Sequence, residues 1–386
     1  MKPSPTATVS DRLLAPFARK TSSGRYLPEV DGLRFVAITW VALFHMREHF
    51  FFEDPWQEIV GMNVLGFLAH RGHFGVQLFF AISGFILSLP FAMYYLGMSN
   101  KPVVVKSFYW RRVTRLEPPY VICLLALFLY HALHAPDLGA YLSESLPHLA
   151  ASAGYLHQPI YSDWSTINHV AWSLEIEIQF YLLAPLICQV FRIASTIQRR
   201  LLLILSIIAS ALFHETSNGL LFRYLPGQLH YFLIGLLLVD FYLVTWNQEK
   251  SRHHWWDWLG LISWTLLPNW PLLRPFINDF LPVLTFFAFA GTLRGNCLSS
   301  LFRIRWLTVI GGMCYTIYLY HITIFGCITH YLNIQVGNPL SVGVSLAVTS
   351  LGVLFFSSIL FLLIERPCMD PTWPAKLRKR FSQWAR

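Results

Sequence analysis

The chain has 386 residues, of which 55% are hydrophobic and 13% are charged. Soluble globular proteins carry about 25% charged residues. The composition therefore excludes a disordered chain, a coiled coil, a secreted disulfide scaffold and a water-soluble enzyme built around one core. In so apolar a chain, the net charge of +9 is typical of cytoplasmic membrane-protein loops rather than of a nucleic-acid-binding surface. The sequence predicts a polytopic membrane protein that binds no nucleic acid.

Ten segments have the length and composition of transmembrane helices, each of which needs about 20 mainly apolar residues. They lie near residues 32–51, 74–95, 118–135, 168–190, 200–214, 221–245, 256–271, 277–293, 309–331 and 340–364. The fifth segment is short, and Pro268 interrupts the seventh. The predicted fold class is all-α, a polytopic transmembrane bundle of about ten spanning helices.

The distribution of basic residues gives this bundle an orientation. With ten crossings and a cytoplasmic N-terminus, every Lys and Arg lies on the inner side except Arg47, Arg71, Arg223 and Arg274. Cytoplasmic loops are enriched in Lys and Arg, so both termini are predicted to be cytoplasmic.

The chain divides into three predicted parts: a polar N-terminal arm at 1–25, a membrane domain at 26–367 and a basic tail at 368–386. The first 30 residues lack the apolar core of a signal peptide, so the N-terminus is predicted to stay uncleaved. The six cysteines form no CxxC pair and no Cys/His cluster with metal-ligand spacing. We therefore expect neither disulfides nor a metal site.

The first span contains two ionisable residues, Arg34 and His45, where charge is costly and usually functional. Eleven residues of helix rotate by about 1100°, three turns plus ~20°, and rise roughly 16 Å. Both side chains are therefore predicted to face the same way, with His45 outward of Arg34. A snorkelling arginine and a histidine that bonds a neighbouring helix remain the alternative.

A second basic cluster precedes the third span. Arg112 and Arg115 are three residues apart and share a helical face, with Arg111 and Lys106 nearby. Several guanidinium groups on a short amphipathic segment can bind phosphates bidentately. A solvated cytoplasmic loop facing the lipid headgroups is the alternative. We expect the tandem prolines 118 and 119 to form the first turn of the span that follows.

The fourth span carries two carboxylates, Glu175 and Glu177. Glu177 and Tyr181 lie four residues apart on one face. A carboxylate in a membrane needs a proton or a cation, and Arg34 or His45 would serve. Structural ion pairing and catalysis are both open for Glu177.

The second span is rich in small residues. Gly72, Gly75 and Gly84 allow close helix approach. Ser83 lacks a GxSxG elbow and is predicted to pack rather than to act as a nucleophile.

Two groups lie near the C-terminal end of the membrane domain. His321 in the ninth span is either structural or a second active-site group. Glu365 and Arg366 end the tenth span and are expected to anchor it as a pair.

Six strings together resemble the acyltransferase-3 family of membrane-embedded O-acyltransferases, and they run in family order over about residues 26–367. The strings are YLPEVDGLRFVAITWVALFH, GHFGVQLFFAISGFIL, FYWRRVTRLEPPY, WSLEIEIQFYLLAPL, GMCYTIYLYHITIF and the terminal IERP.

The resemblance implies roles for particular residues. The family's Arg–ten residues–His motif falls on Arg34 and His45, and its RxxR motif falls on Arg112 and Arg115. The family histidine is regarded as catalytic and the arginines are associated with the acyl-CoA donor. The family glutamate aligns with Glu177. One departure accompanies this match, because Gln77 stands where many members have Asp. Many members also carry an esterase-like domain, and we expect this chain to be the stand-alone form without it.

The predicted function is transfer of an acyl group, as from acetyl-CoA, to a hydroxyl of a glycan, lipid-linked sugar or small molecule. His45 is the predicted general base, with Glu177 as the second catalytic candidate and Arg34, Arg111, Arg112 and Arg115 at the donor. Direct transfer and an acyl-enzyme on His45 are both open. No permanently bound cofactor is expected.

The predicted location is the bacterial inner membrane, in contact with lipids. Trp56, Tyr155, Tyr161 and Trp164 in the outer loops are suited either to sugar stacking or to an interfacial belt. The alternative functions are a transporter of an anionic metabolite or lipid-linked sugar, which also uses buried charges, and a non-catalytic assembly subunit.

Overall fold

The computed structural model describes residues 13–19, 26–50, 71–217, 221–246, 253–273, 281–332 and 339–384. All regular secondary structure in these ranges is helical. The predicted outer loop around Trp56 lies outside the described residues. The principal helices are α1 Pro28–Phe50, α2 Phe74–Tyr95, α3 Val105–His134, α4 Leu138–Ala153, α5 His157–Tyr161, α6 Trp172–Ile187, α7 Thr196–Thr216, α8 Leu225–Asp240, α9 Trp255–Leu273, α10 Leu281–Arg294, α11 Cys297–Phe302, α12 Arg305–Gly312, α13 Cys314–Tyr331, α14 Pro339–Leu360 and α15 Trp373–Trp384.

Within the described part of the chain, six helical stretches are long and apolar enough to cross a membrane. They are Phe74–Tyr95, Val105–His134, His169–Arg192, Thr196–Thr216, Leu225–Thr245 and Gly343–Cys368. Each overlaps a predicted span, so the all-α membrane architecture is confirmed.

The predicted ninth span is not a single straight helix. Helices α12 and α13 meet at a bend of 72°, and together they make a seventh candidate crossing. Gly311 just before the bend packs directly on α1: a Cβ there would lie 1.8 Å from the Asp31 carbonyl oxygen. This close approach fixes α12 against α1 while α13 leaves in another direction.

The three other predicted spans correspond to α1, α9 and the 14-residue α10. These helices do not combine enough length with enough apolar character to qualify as crossings by themselves. Helix α1 carries acidic residues in its first turn and Arg47 in its last turn. The count of ten spans and the cytoplasmic termini therefore stay predictions.

The predicted helix start at the tandem prolines is wrong. Helix α3 runs without interruption from Val105 to His134, with Pro118 and Pro119 inside it. A proline in a helix interior removes a hydrogen bond, but membrane helices tolerate it where neighbouring groups compensate. The basic cluster is therefore the first part of the spanning helix and not a separate segment or loop.

The predicted small-residue contacts are confirmed. A Cβ at Gly72, Gly75 or Gly84 would lie 2.0–2.3 Å from a backbone oxygen of a facing helix. Gly84 on α2 approaches the Phe232 carbonyl of α8, and Gly235 of α8 approaches α2 in return. The two helices therefore cross with their backbones nearly in contact.

This crossing predicts a contrast between two glycine substitutions. We expect Gly84→Ala to lower the stability of the protein by about 1–3 kcal/mol, because the added methyl group has no space. In Gly326→Ala, nothing described lies within 4 Å of the new methyl group, and alanine is the better helix former. The midpoint temperature of thermal unfolding in detergent should therefore be lower for Gly84→Ala than for wild type, and equal or higher for Gly326→Ala. Equal loss in both variants would contradict the close crossing.

A buried ion cluster joins α7 to the end of α8. The Asp240 carboxylate is inaccessible to solvent and accepts hydrogen bonds from Arg199 and Arg200, the latter at 2.6 Å. Arg199 also donates to the Ile193 carbonyl oxygen and Arg200 to the Thr245 hydroxyl, each at 2.6 Å. The single Asp240 carboxylate therefore bridges both guanidinium groups, one fully buried and one 20% exposed.

Candidate active site

The first side chains of the site lie at the C-terminal end of α1. His45 Nδ1 lies 3.1 Å from Glu48 Oε2, one turn later. Because a carboxylate accepts hydrogen bonds, Nδ1 is the donor and Nε2 is left as a proton acceptor. His45 and Glu48 border an open cavity of about 480 Å³. The cavity is lined by His45, Arg47, Glu48, His49, His169, Ile322 and Phe325.

His321 of α13 lies behind His45. The centroids of the two imidazole rings are 5.2 Å apart, and His321 has no solvent-exposed surface. The sequence predicted either a structural or an active-site role for His321. We call His45, Glu48 and His321 together the histidine end of the site.

Arg34 lies just over three turns earlier on α1, and its partner is not the predicted one. Its Nη1 donates to Asp31 Oδ1 at 2.6 Å, and Arg19 Nη1 donates to the same oxygen at 3.1 Å. Asp31 is 2% exposed. The expectation that Glu177 balances Arg34 is therefore wrong, because Asp31 is supplied from the same helix at i−3 spacing.

The RxxR arginines reach the same region from α3. Arg115 lies within electrostatic range of Asp31 and of Glu365, and its Nε is buried without a hydrogen-bond partner among the described residues. Arg112 Nη1 donates to the Phe108 carbonyl oxygen at 2.7 Å. We call Arg34, Arg112 and Arg115 the arginine end of the site.

Arg111 does not share this position. Its side chain is exposed, whereas Arg112 and Arg115 are partly buried. Helical rotation separates adjacent residues by about 100°. The structure thus groups three of the four predicted donor arginines and leaves Arg111 outside the group.

Glu177 belongs with the arginines. Its carboxylate accepts a hydrogen bond from the Ser83 hydroxyl of α2. Tyr181 and the guanidinium groups of Arg112 and Arg115 lie within interaction range of the same carboxylate. Ser83 therefore has a polar role beyond the predicted packing, and Glu177 contributes charge balance at the arginine end.

Glu175 points elsewhere. It is 1% exposed, and its Oε2 accepts the backbone N–H of Gln158 at 3.0 Å. That N–H belongs to the first turn of α5, so the carboxylate satisfies a helix terminus. The structure gives Glu175 a structural role.

Tyr318 and Ser173 lie between the two ends of the site. The Tyr318 and Ser173 hydroxyls are 2.6 Å apart, and the Tyr318 hydroxyl also donates to the Val170 carbonyl oxygen at 2.8 Å. Ser173 is four residues before Glu177 on α6, and Tyr318 is three residues before His321 on α13. A polar strip therefore connects the arginine end to the histidine end.

The predicted Glu365–Arg366 anchor is replaced by a different contact. Glu365 is 1% exposed and accepts hydrogen bonds from the Thr316 backbone N–H at 3.1 Å and the Thr316 hydroxyl at 2.6 Å. It therefore caps the first turn of α13, directly after the bend. Arg366 Nε has no described hydrogen-bond partner.

The aromatic residues of the predicted outer loops make contacts within the protein. Tyr155 stacks on Tyr120 with ring centroids 4.8 Å apart. His169 stacks on Trp164 at 4.8 Å, and the Arg223 guanidinium lies 4.2 Å from the Trp164 ring centroid. These ring contacts therefore hold the segments around them together and position His169 at the cavity.

One group of potential metal ligands lies away from this site. Ligand atoms of His254, Asp257 and Cys297 lie within 4.8 Å of one another. The Asp257 carboxylate already accepts the backbone N–H groups of Asn296 and Leu298, at 3.0 and 2.9 Å. Its contacts are those of an N-terminal cap for α11.

Residues 27–364 match the acyltransferase-3 family model, described as an acyltransferase domain. The chain is 24% identical over 361 residues to the peptidoglycan O-acetyltransferase OatA of Listeria monocytogenes, covering 82% of this chain and 52% of that protein. It is 28% identical over 179 residues to the O-acetyltransferase OatA of Staphylococcus aureus, covering 44% of this chain and 26% of that protein.

A protein of Staphylococcus aureus strain COL that carries a provisional O-acetyltransferase name is 25% identical over 378 residues. That alignment covers 89% of this chain and 57% of the relative, so the chain spans about half the length of the curated relatives it matches. No solved structure is significantly similar to the chain. The match over most of the membrane domain shows that the chain belongs to the acyltransferase-3 family.

Proposed function

We propose that the protein is an integral-membrane O-acyltransferase that moves an acetyl group from cytoplasmic acetyl-CoA to a hydroxyl of an envelope glycan. The observation that carries the proposal is the arrangement on α1. This helix holds Arg34 among partly buried cations at one position and His45 beside an open cavity eleven residues later. The separation along the helix is roughly 16 Å.

The arginine end suits an anionic donor. Arg34, Arg112 and Arg115 come from two helices, and guanidinium groups bind phosphates with two parallel hydrogen bonds. Asp31 and Glu177 hold these cations in place before the donor arrives. Under the predicted orientation this end faces the cytoplasm, where acyl-CoA is found.

The histidine end suits proton transfer. The acceptor hydroxyl gives its proton to His45 Nε2, its oxygen attacks the thioester carbonyl carbon, and the carbon–sulfur bond breaks. The departing thiolate then takes the proton from His45 and leaves as free CoA. Glu48 on Nδ1 keeps the ring in the tautomer that this step needs. Glu177 contacts Ser83 and lies near the RxxR arginines, so we assign it to the arginine end and propose direct transfer with His45 as the base.

A glycan acceptor is supported by the named relatives and by the cavity. One relative is named for peptidoglycan O-acetylation. The cavity of about 480 Å³ is open, and five of its seven lining residues (His45, Arg47, Glu48, His49 and His169) have side chains that can hydrogen-bond to the hydroxyl groups of a carbohydrate. A multi-pass protein of the bacterial plasma membrane would bring this acceptor and cytoplasmic donor together.

Acetyl-CoA binding to the detergent-purified protein tests the donor site. Charge-assisted hydrogen bonds contribute about 1.5–3 kcal/mol each, so the double variant Arg112→Ala and Arg115→Ala should bind at least about 100-fold more weakly. Isothermal titration calorimetry gives the dissociation constants.

The matched control is the double variant Arg378→Ala and Lys379→Ala. It removes the same charge from exposed positions on α15, and we expect binding within about threefold of wild type. Equal weakening in both double variants would indicate a general electrostatic effect. Absence of binding to folded wild-type protein would refute the proposed donor and favour the transporter alternative.

A further inference from the structure

The loop between α5 and α6 places His169 on a fixed backbone. The Ser165 hydroxyl accepts hydrogen bonds from the backbone N–H groups of Ile167 and Asn168, each at 3.3 Å. The Asn168 side chain donates to the Leu319 carbonyl oxygen of α13 at 3.2 Å. Serine and asparagine side chains that bond nearby backbone groups in this way stabilise turns. The chain directly before His169 is therefore tied to itself and to α13.

Stacking sets the plane of the His169 ring. The ring lies against Trp164 with centroids 4.8 Å apart and planes 29° from parallel. Trp164 is held in turn by the Arg223 guanidinium, 4.2 Å from its ring centroid, and by Trp172, whose ring makes an edge contact at 5.6 Å. Aromatic and cation–π contacts of this kind have preferred orientations. The imidazole is therefore in position before any ligand binds.

The ring nitrogens of His169 are uncommitted. The side chain is exposed and lines the open cavity together with His45, Glu48 and His49. His45 contacts Glu48 at 3.1 Å, and His49 contacts the Thr329 hydroxyl at 2.8 Å. Of these three cavity histidines, His169 alone has no hydrogen bond from its ring to a residue that the structure describes. Stacking thus holds the ring and leaves its nitrogens to a ligand.

The chemistry of this ring fits a sugar hydroxyl. A neutral imidazole carries one donor and one acceptor nitrogen, and a change of tautomer exchanges the two. A hydroxyl likewise donates one hydrogen bond and accepts others. His169 also lies within electrostatic range of His45 and Glu48. A sugar whose reacting hydroxyl reaches His45 can therefore present a second hydroxyl to His169.

We infer that His169 is an acceptor-binding residue, which holds a second hydroxyl of the glycan and so selects the hydroxyl that reaches His45. The inference deepens the proposed function and rests on it. His169 forms no covalent bond and receives no proton in the transfer. His45 stays the base, with Glu48 on its Nδ1. The loss of His169 should therefore weaken acceptor binding and leave donor binding unchanged, because the donor is bound at the arginine end.

Three variants separate hydrogen bonding from stacking. His169→Phe keeps an aromatic ring on Trp164 and loses both nitrogens, whereas His169→Gln keeps a donor and an acceptor. His134→Phe is the matched control, at an exposed histidine of α3 outside the cavity lining. The donor probe is 14C-labelled acetyl-CoA. The acceptor probe is the envelope fraction, membranes included, of a gene-deletion strain of the native host, in which this enzyme has acetylated no hydroxyl.

We expect the KM for the acceptor to rise about 5–150-fold in His169→Phe, because the bound hydroxyl loses its partner. The kcat at saturating acceptor should stay within about threefold of wild type, and the Kd for acetyl-CoA from calorimetry should not change. His169→Gln should recover most of the acceptor affinity, and His134→Phe should match wild type. An unchanged acceptor KM in folded His169→Phe, a fall in kcat alone, or equal losses in the Gln and Phe variants would overturn the inference.

Two outcomes separate this inference from the proposed function. A folded wild-type protein that transfers no acetyl group to the envelope fraction refutes the proposed function, and the inference with it. Active wild type and inactive His45→Ala, beside a His169→Phe variant with the wild-type acceptor KM, refute only the role of His169.

Should the His169 variants fail to fold, labelling of the wild-type protein with diethyl pyrocarbonate decides. The reagent modifies accessible histidines, and mass spectrometry locates each modified residue. Protection of His169 but not of His134 by the envelope fraction supports the inference. Equal labelling of His169 with and without the fraction overturns it.

Discussion

Replacing His45 by alanine should abolish acetyl transfer while leaving acetyl-CoA binding intact. General-base catalysis typically contributes about 10²–10⁴-fold to a rate, and this is the loss in kcat that we expect. Binding should survive because the arginine end is roughly 16 Å away along α1 and its ion pairs do not involve His45. Radiolabelled transfer and calorimetric binding measure the two properties separately.

His49→Ala is the matched control for this prediction. His49 lies one turn after His45, borders the same cavity and contacts the Thr329 hydroxyl at 2.8 Å. Its removal changes the lining but not the base, so we expect the rate to fall by less than about tenfold. If His45→Ala retained transfer, or if His49→Ala were equally inactive, His45 would not be the base.

The second large effect should come from Asp240. Asp240→Ala leaves the Arg199 and Arg200 guanidinium groups without their carboxylate, and Arg199 is 1% exposed. Removing one partner of a buried ion pair costs about 3–5 kcal/mol, because the remaining charge stays desolvated. We expect a corresponding loss in the free energy of unfolding, measured in mixed detergent micelles, with low yields of folded protein.

A more accessible carboxylate provides the comparison. Asp370 is 28% exposed, pairs with Lys376 and accepts hydrogen bonds from the backbone N–H and hydroxyl of Thr372 at 2.9 and 2.6 Å. Because a surface ion pair contributes about 0–1 kcal/mol and a capping side chain about 0.5–2 kcal/mol, Asp370→Ala should lose less stability than Asp240→Ala. Similar stability of the two variants would show that the Asp240 cluster is well solvated and not a buried network.

Much of the helical architecture could be predicted from hydropathy, because a membrane helix must satisfy its backbone internally and cover it with apolar side chains. The bend after α12 could not be predicted in this way. It depends on Gly311 meeting the backbone of α1, a contact between segments almost 300 residues apart. The uninterrupted course of α3 through Pro118 and Pro119 likewise depends on neighbours that compensate for the lost hydrogen bond.

At the site, helical periodicity placed Arg34 and His45 on one face, but the partners assigned to them were wrong. Asp31 and Glu48 stand at i−3 and i+3 positions on the same helix, a spacing that brings side chains together. The sequence alone could therefore have identified Asp31 and Glu48 as partners. It could not have placed Glu177 beside Ser83 and the RxxR arginines, because sequence spacing says nothing about distances between helices.

The shared carboxylate of Asp31 has a practical consequence for anyone who engineers this protein. Arg19 pairs with it from the segment before α1, so the amino-terminal arm contributes an ion pair to the membrane domain. A truncated version starting at residue 26 would remove one cation from Asp31 and draw Arg34 more tightly to the remaining charge. Affinity tags and reporter fusions are therefore better attached after α15.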